Sequence, residues 1–457
     1  MKKSYILSAL LVPATSMAVT YPVVDTAQEH TYDARSVIEF PRSGKIYYGQ
    51  DAQFLHNPPE YKVNGDGTVS DQVTGLMWTR DPGPKKTYNQ AVADAAACRT
   101  GGYSDWRLPT VKELYSLIQF NGTDPNPMSI SDKGLTPFID TRVFTFTYGQ
   151  AAKGERIIDA QYATSTLYVA DEKQPAFQRM FGVNFADGRI KGYPIGYGPR
   201  GLSTFYVHYV RGNPAYGKNQ FMDNGDGTIL DKATGLTWMK ADSVETMDWP
   251  TALAYAETFE LAGHTDWRLP NAKELQSLVD YSRSPDTSDS AVIDPVFDAT
   301  AIVNEAGYKD FAHYWTGTSH CGIGRASSAV YIAFGRALGF MRNRWVDIHG
   351  AGCQRSDPKT GDPSVYASGH GPQGDAIRIK NMVRLVRGGD VSLVKSSPEI
   401  EKAQASLPGG FMGREDQDGD GKVTRSEFKG PAVHFERFDK NKDGVISADE
   451  APTGPPK

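Results

Sequence analysis

Cysteine is scarce in this chain of 457 residues, which contains only Cys98, Cys321 and Cys353. Three thiols allow at most one internal disulfide, so the fold must rest mainly on packed apolar residues. In an oxidising compartment we expect Cys321 and Cys353 to form that bridge, because both lie in the second copy of the repeat described below. The alternative is a zinc site formed by these two cysteines with His320 and His349, whose spacing differs from the usual zinc motifs.

The chain also lacks a net positive charge and long apolar runs. The formal net charge is −5, which gives no support to nucleic-acid binding. Beyond the N-terminus no apolar stretch is long enough to cross a bilayer, so we expect no transmembrane span. No Ser-His-Asp order, phosphate loop or carboxylate dyad stands out, and we therefore expect a protein that is not an enzyme.

Residues 1–18 have the three parts of a secretory signal peptide. The start is basic, residues 5–12 are apolar, and Ser16 and Ala18 are small side chains suited to cleavage after Ala18. The apolar run is too short to span a bilayer. We expect the mature protein in the periplasm, secreted, or on the outer surface of the cell.

An internal repeat follows. Residues 64–78 contain Asn-Gly-Asp-Gly-Thr and Thr-Gly-Leu-Met-Trp, and residues 224–238 contain the same pattern 160 positions later. Paired Asp-Gly turns between β-prone runs predict hairpins. Calcium binding by these acid-rich loops is the alternative interpretation. Helices are expected over residues 89–98 and 250–261, with Asp248 as the N-cap of the second.

Each copy also contains an Asp-Trp-Arg-Leu-Pro corner, at residues 105–109 and 266–270. A helix N-cap follows the proline, and a glutamate stands three residues after the cap, which predicts a capping box. The arginine is expected to form an ion pair or to clamp the backbone, because the corner must pack closely. The residues predicted to hold the corners are Arg107, Thr110 and Glu113, and Arg268, Asn271 and Glu274.

With these motifs in order, each repeat resembles the Lcl C-terminal domain family, named for the C-terminal domain of a collagen-like surface adhesin. The corner and the closing Val386–Gly389 also resemble the formylglycine-generating enzymes, whose fold is related to C-type lectins. The resemblance implies an α+β fold of two tandem, irregular, C-type-lectin-like domains with small antiparallel sheets and short helices. The expected segments are 19–62 packed on the first repeat, repeats at 63–214 and 221–390, a linker at 391–410 and a last unit at 411–453.

The adhesin resemblance implies surface attachment, with a polysaccharide or another cell-surface ligand as the partner. The formylglycine resemblance implies a copper-dependent oxidase instead, which would need a converging cysteine pair. A structural component of the envelope or matrix is a third interpretation. Trp106, Trp267, Trp315 and Trp345 are able to stack on sugar rings. For Trp106 and Trp267 we expect a core position, because they belong to the repeated corner.

Two loops near the C-terminus match the EF-hand, in which oxygens at positions 1, 3, 5, 7, 9 and 12 surround one calcium ion. Lys422 and Val445 are expected to provide main-chain carbonyls, and Glu427 and Glu450 to close the shell. At position 8, Val423 and Ile446 should pair in a small β-bridge. Two Ca²⁺ ions are expected, bound for structural reasons. The ligand positions are Asp416, Asp418, Asp420, Lys422, Thr424 and Glu427, and Asp439, Asn441, Asp443, Val445, Ser447 and Glu450.

Overall fold

The Asp-Gly turns of the repeat close two hairpins of the same form. The strands of residues 19–212 are β1 (Thr31–Tyr32), β2 (Val37–Ile38), β3 (Phe54–Leu55), β4 (Tyr61–Val63), β5 (Thr68–Asp71), β6 (Leu76–Thr79), β7 (Gln161–Tyr162), β8 (Arg179–Asn184), β9 (Arg189–Pro194), β10 (Tyr197–Gly198), β11 (Gly201–Leu202) and β12 (Val210–Gly212). Those of residues 213–394 are β13 (Phe221–Asp223), β14 (Thr228–Asp231), β15 (Leu236–Met239), β16 (Ala301–Val303), β17 (Lys309–Phe311), β18 (His313–Gly322), β19 (Arg325–Ala333), β20 (Leu338–Met341), β21 (Arg344–Asp347), β22 (Gln354–Pro358), β23 (Val386–Gly388) and β24 (Ser392–Leu393).

The computed structural model describes residues 19–172, 175–198, 201–389, 391–394, 411–416, 421–447 and 450–452. The predicted signal peptide at 1–18 and most of the predicted linker at 391–410 lie outside these ranges. Within them, none of the helices combines the length and the apolar character that crossing a membrane requires.

The hairpins β4–β5 and β13–β14 each form one edge of a four-stranded antiparallel sheet. The orders are β12-β6-β5-β4 in the first repeat and β13-β14-β15-β23 in the second. In the first turn the Asp66 carboxylate accepts from the Thr68 amide at 3.0 Å and the Thr68 hydroxyl at 2.6 Å. Asp226 and Thr228 make the same two bonds. The hairpin prediction is confirmed, and each carboxylate closes its own turn.

Short helices follow the hairpins and are capped as their sequences predict. They are α1 (Tyr88–Ala97), α2 (Val111–Tyr115), α3 (Trp249–Thr258) and α4 (Ala272–Ser277). Asp248 caps α3 by accepting from the Thr251 amide, and α3 ends three residues before the predicted boundary. Thr110 and Asn271 cap α2 and α4, and both capping boxes are present. These caps satisfy amides that a helix start leaves without partners.

A six-stranded sheet joins the two repeats. Its order is β18-β19-β22-β9-β8-β7, so three strands come from each repeat. The join is antiparallel, with Gln354 opposite Ile190. Trp78 and Trp238, at equivalent places, belong to one continuous cluster of buried apolar side chains. The repeats therefore share a core, and the fold is α+β with small antiparallel sheets and few short helices.

The leading segment, which was predicted to pack on the first repeat, contacts both repeats. The Gln28 side-chain amide donates to the main-chain oxygens of Phe120 at 3.2 Å and Ser319 at 2.9 Å. The Thr20 amide donates to Ala233 in the second repeat. Strand β3 of this segment pairs with β24, which follows the second repeat. The segment fills a groove between the two halves.

Candidate functional site

The C-terminal unit is a small pair of loops and helices. It consists of α5 (Phe411–Glu415), β25 (Lys422–Thr424), α6 (Ala432–Phe438) and β26 (Val445–Ser447). Val423 pairs with Ile446 in a two-stranded antiparallel ladder, as predicted for position 8 of each loop. Both side chains are completely buried in a cluster with three phenylalanines, Phe411, Phe428 and Phe435. This pairing fixes the two loops side by side.

In the second loop three predicted ligands converge. Oxygens of Asp439, Asp443 and Glu450 all lie within 4.8 Å of one another. Calcium binds oxygens at about 2.3–2.6 Å, so atoms on opposite sides of one ion are roughly 5 Å apart. The three carboxylates therefore fit one calcium shell. Gly444 has φ of 89°, which allows the sharp turn between them.

Main-chain amides hold these carboxylates in place. Asp439 accepts from the amides of Asp443 at 3.1 Å and Gly444 at 3.0 Å. Glu450 accepts from the amides of Asn441 and Ser447, and these bonds lower its pKa below the usual value. A carboxylate held ionised is the form that binds a cation. Asn441, Val445 and Ser447 lie around the same turn.

The first loop repeats this arrangement where the structure describes it. The Gly421 amide donates to Asp416 at 2.9 Å. Glu427 accepts from the Thr424 amide at 2.8 Å and the Thr424 hydroxyl at 2.7 Å, as Glu450 does from Ser447. Lys422 begins β25, opposite Ser447. The predicted ligands Asp418 and Asp420 lie outside the described residues.

Within the described part of the chain, the group in the second loop is the one place where three or more carboxylate, imidazole or thiol side chains converge with metal-site spacing. The Asp-Gly turns of the repeats form no such group. Their carboxylates are already bonded to Thr68 and Thr228. The geometry of the described residues thus favours the C-terminal loops as the calcium site.

The corner arginines form the predicted ion pairs. Arg107 meets Glu113 at 2.7 and 2.5 Å, and Arg268 meets Glu274 at 2.7 and 2.6 Å. The second pair is the more buried, since the Arg268 side chain is 6% exposed and that of Arg107 39%. Burial alone would raise the pKa of Glu274, but Arg268 outweighs it and holds that pKa well below its usual range. These side chains support the fold.

The repeated tryptophans are core residues. Trp106 and Trp267 are each 4% exposed, and Trp315 is completely buried. Their indole N–H groups donate to the main-chain oxygens of Thr100, Leu261 and Met247 respectively. The core prediction for the first two is confirmed, and Trp315 is closed to a sugar ring as well. Trp345 lies in β21 and is half-buried.

The predicted Cys321–Cys353 bridge is not formed, and all three cysteines are free thiols. Cys321 follows His320, which pairs with Ser328 of β19, whereas Cys353 precedes Gln354, which pairs with Ile332. Four residues along a strand span about 13 Å, and a disulfide needs Cα atoms within about 7 Å. The sequence places Cys321 and Cys353 in one repeat, but it does not show how far apart they lie along the sheet.

The geometry also argues against the zinc site and the copper site that were considered for these cysteines. His320 Nδ1 lies 3.0 Å from the Ser356 hydroxyl, and His349 Nε2 lies 2.7 Å from Asp375. Neither histidine joins the thiols in a metal-type group within the described residues. The zinc site is therefore not assembled there, nor is the cysteine pair that a copper-dependent oxidase would need.

Two lysines at the centre of the molecule carried no predicted role. Lys112 in α2 donates to the main-chain oxygen of Ser277 at 2.6 Å, and Lys273 in α4 donates to that of Ser116 at 2.8 Å. The sequence signal for such a role is that a lysine stands at the same place in both corners. Only the packing of α2 against α4 shows that each lysine reaches across to the other repeat.

The geometry defines a calcium-binding protein of the EF-hand class that carries two fused α+β repeats. Comparison with family models matches the Lcl C-terminal domain at residues 67–211 and 227–347, and the EF hand at residues 416–430 and 432–450. Because the first match covers more than half of the chain, the chain belongs to the Lcl C-terminal domain family. No curated protein and no solved structure matches it. Strand β23, beyond the second matched stretch, completes the sheet of the second repeat.

Proposed function

We propose that this protein is exported and attaches to a surface, with its two Lcl C-terminal domains recognising a polysaccharide or another cell-surface ligand. The observation that carries the proposal is the converging set of Asp439, Asp443 and Glu450 behind two domains of an adhesin-type family. Export rests on the predicted leader at residues 1–18. A lectin-like mode of binding rests on the family resemblance. The role is binding rather than catalysis.

Calcium acts in this proposal as a structural ion. The C-terminal unit has a small apolar core, and its loops place several carboxylates close together. Repulsion among such groups opposes folding unless a cation neutralises them. Outside the cell calcium is abundant enough to fill sites with dissociation constants of about 10⁻⁴–10⁻³ M. The unit is thus suited to stay loaded rather than to signal.

The test is adhesion of the purified mature protein to cells and to a broad glycan array, with calcium and with a chelator. Saturable binding to a defined surface or glycan is expected in calcium. A matched control is the chain ending at Val394, which keeps the repeats and β24. Calcium-dependent self-association without surface or glycan binding would replace this function by a structural role in the envelope or matrix.

A further inference from the structure

The two repeats carry the same local site beside their corner helices. In the first repeat the Val111 amide donates to the Thr166 hydroxyl at 3.0 Å. In the second the Ala272 amide donates to the Thr318 hydroxyl at 2.9 Å. The residue before each threonine also donates its amide to the corner proline. The two repeats therefore form this local site from residues at equivalent positions.

In the second repeat, the leading segment occupies this site. The Thr318 hydroxyl donates to Asp51 at 2.6 Å. The Gln28 carboxamide makes two bonds with the Ser319 main chain, accepting from its amide at 2.9 Å and donating to its carbonyl at 2.9 Å. Phe120, which follows the corner helix of the first repeat, also contacts the segment: its amide donates to the main-chain oxygen of Thr26 at 2.7 Å. The occupant is a polypeptide that turns at Ala27, where φ is 57°, and that contacts the site through its backbone, the Gln28 carboxamide and the Asp51 carboxylate.

In the first repeat the Gly217 carbonyl takes the place of that of Asp25 on the corner lysine, and the rest of the equivalent site is open. Leu167 takes the place of Ser319 and is 37% exposed, and Tyr281 takes the place of Phe120. Leu167 lies opposite Met180 in a β-bridge whose hydrogen bonds are made by its neighbours Thr166 and Tyr168. Among the described residues, neither the Leu167 main chain nor the Tyr281 amide has a hydrogen-bond partner of its own. Ser165, which stands where the buried Gly317 is covered by the segment, is exposed. A cleft of about 480 Å³ lies here, lined by residues that include Thr166, Leu278, Tyr281 and Val296.

We propose that this cleft binds a polypeptide segment bearing a glutamine or asparagine, in the manner in which residues 26–28 occupy the second repeat. The Leu167 main chain would pair with the carboxamide, and the Tyr281 amide would bind a main-chain carbonyl. Main-chain groups buried under a ligand need such partners. The inference deepens the proposed function and rests on it for the role of the repeats in recognition.

The charges of the cleft balance, which gives no support to a strongly acidic ligand such as a sulfated glycan. Asp280 and Asp294 line it, and so does the exposed Lys218. Lys112 also lines it, but its ammonium already donates to Gly217, Asn219 and Ser277. A cation whose three protons are bonded offers little to an incoming anion. Because two carboxylates and two ammonium groups line the cleft, it offers no net positive charge to a polyanion, and a neutral peptide fits it.

The experiment titrates the full chain, in calcium, with a labelled synthetic peptide of residues 22–30 and follows fluorescence anisotropy. Saturable binding is expected, and replacing Gln28 of the peptide by Ala should weaken it roughly tenfold, since it loses the paired carboxamide. Ser165→Trp in the protein should block the cleft, whereas the exposed control Ser131→Trp should bind as the wild type does.

Binding that is unaffected by Ser165→Trp would place the peptide elsewhere and overturn the proposal. Failure of the peptide to bind would do the same, and it does not require any variant to fold. A neutral saccharide that binds the wild type but not Ser165→Trp would assign the cleft to glycans instead. Surface attachment is measured separately, so peptide binding without attachment would reject the proposed function and leave the cleft assignment standing.

Discussion

Lys112 and Lys273 are related by an approximate twofold axis between the repeats. Each donates from one corner helix to the end of the other, at 2.6 Å to Ser277 and 2.8 Å to Ser116. Such a reciprocal exchange is the mark of an isologous contact, here formed within one chain. Burial lowers the pKa of Lys112 to about 8 and that of Lys273 to about 7.

The pKa of Lys273 predicts a dependence of stability on pH. An unfolded lysine releases its proton near the ordinary 10.5, but the folded protein releases that of Lys273 near 7. Above pH 7 the unfolded chain therefore binds more protons, and the free energy of unfolding rises with pH. Lys273→Met should remove a slope of up to about 1.4 kcal/mol per pH unit. Urea unfolding at pH 7, 8 and 9 measures it.

The comparison stops at pH 9 because Cys321 has the opposite effect at higher pH. Burial raises the pKa of this thiol to about 11 in the folded protein. The thiol of the unfolded chain therefore ionises first, and the free energy of unfolding falls as the pH rises. The control is Lys133→Met, an exposed lysine. Equal slopes for Lys273→Met and the wild type would mean that Lys273 keeps its proton throughout this range.

The two corner ion pairs should differ in their contributions to stability. Arg268→Met leaves the Glu274 carboxylate buried without its partner, which costs about 3–5 kcal/mol. Arg107→Met is its matched control at the equivalent position, and the 39% exposure of Arg107 lets water solvate part of that site. Urea unfolding should therefore show the larger loss for Arg268→Met. Equal losses would show that burial does not govern these pairs.

Glu450 closes the second calcium loop, so Glu450→Gln should remove one calcium site. The amide supplies a single neutral oxygen where a carboxylate can bind with two. Isothermal titration calorimetry should show two sites in the wild type and a loss or strong weakening of one in the variant. Glu436→Gln, on the exposed side of α6, is the control. Two calcium sites of unchanged affinity in Glu450→Gln would show that Glu450 is not a calcium ligand.

Removal of the C-terminal unit separates the two kinds of acidic loop. A chain ending at Val394 retains β24 and its pairing with β3. We expect this chain to bind no calcium, because Asp66 and Asp226 close their own turns. Calorimetry of the truncated chain beside the full chain checks this. Calcium sites that survive the truncation would assign the ion to the Asp-Gly loops after all.

All three thiols should be titratable in the unfolded protein without any reductant. In the native protein the half-buried Cys98 and Cys321 should react before the fully buried Cys353. Burial raises the pKa of Cys353 to about 12, which further slows its reaction. Thiol counting with and without denaturant, followed by mass spectrometry, measures the order. A Cys321–Cys353 peptide linked by a disulfide would contradict the structure.

Local features were readable from the sequence because each is encoded within a dozen residues. The Asp66 turn, the capping box of Thr110 and Glu113, and the EF-hand positions depend on side chains that bond to their own neighbourhood. The family followed from these motifs in order. The boundary of α3 was less accurate, because tertiary contacts decide where a short element ends.

Pairings between distant residues were decided only by the tertiary structure. The register of β19 against β18 and β22 separates Cys321 from Cys353. The leading segment fills one of two equivalent sites and leaves the other open, although Thr166 and Thr318 accept the same bond from their corner helices. A repeated sequence predicts two equal surfaces. Which of them remains exposed depends on where residues 24–51 pack, and that depends on the shared core of both repeats.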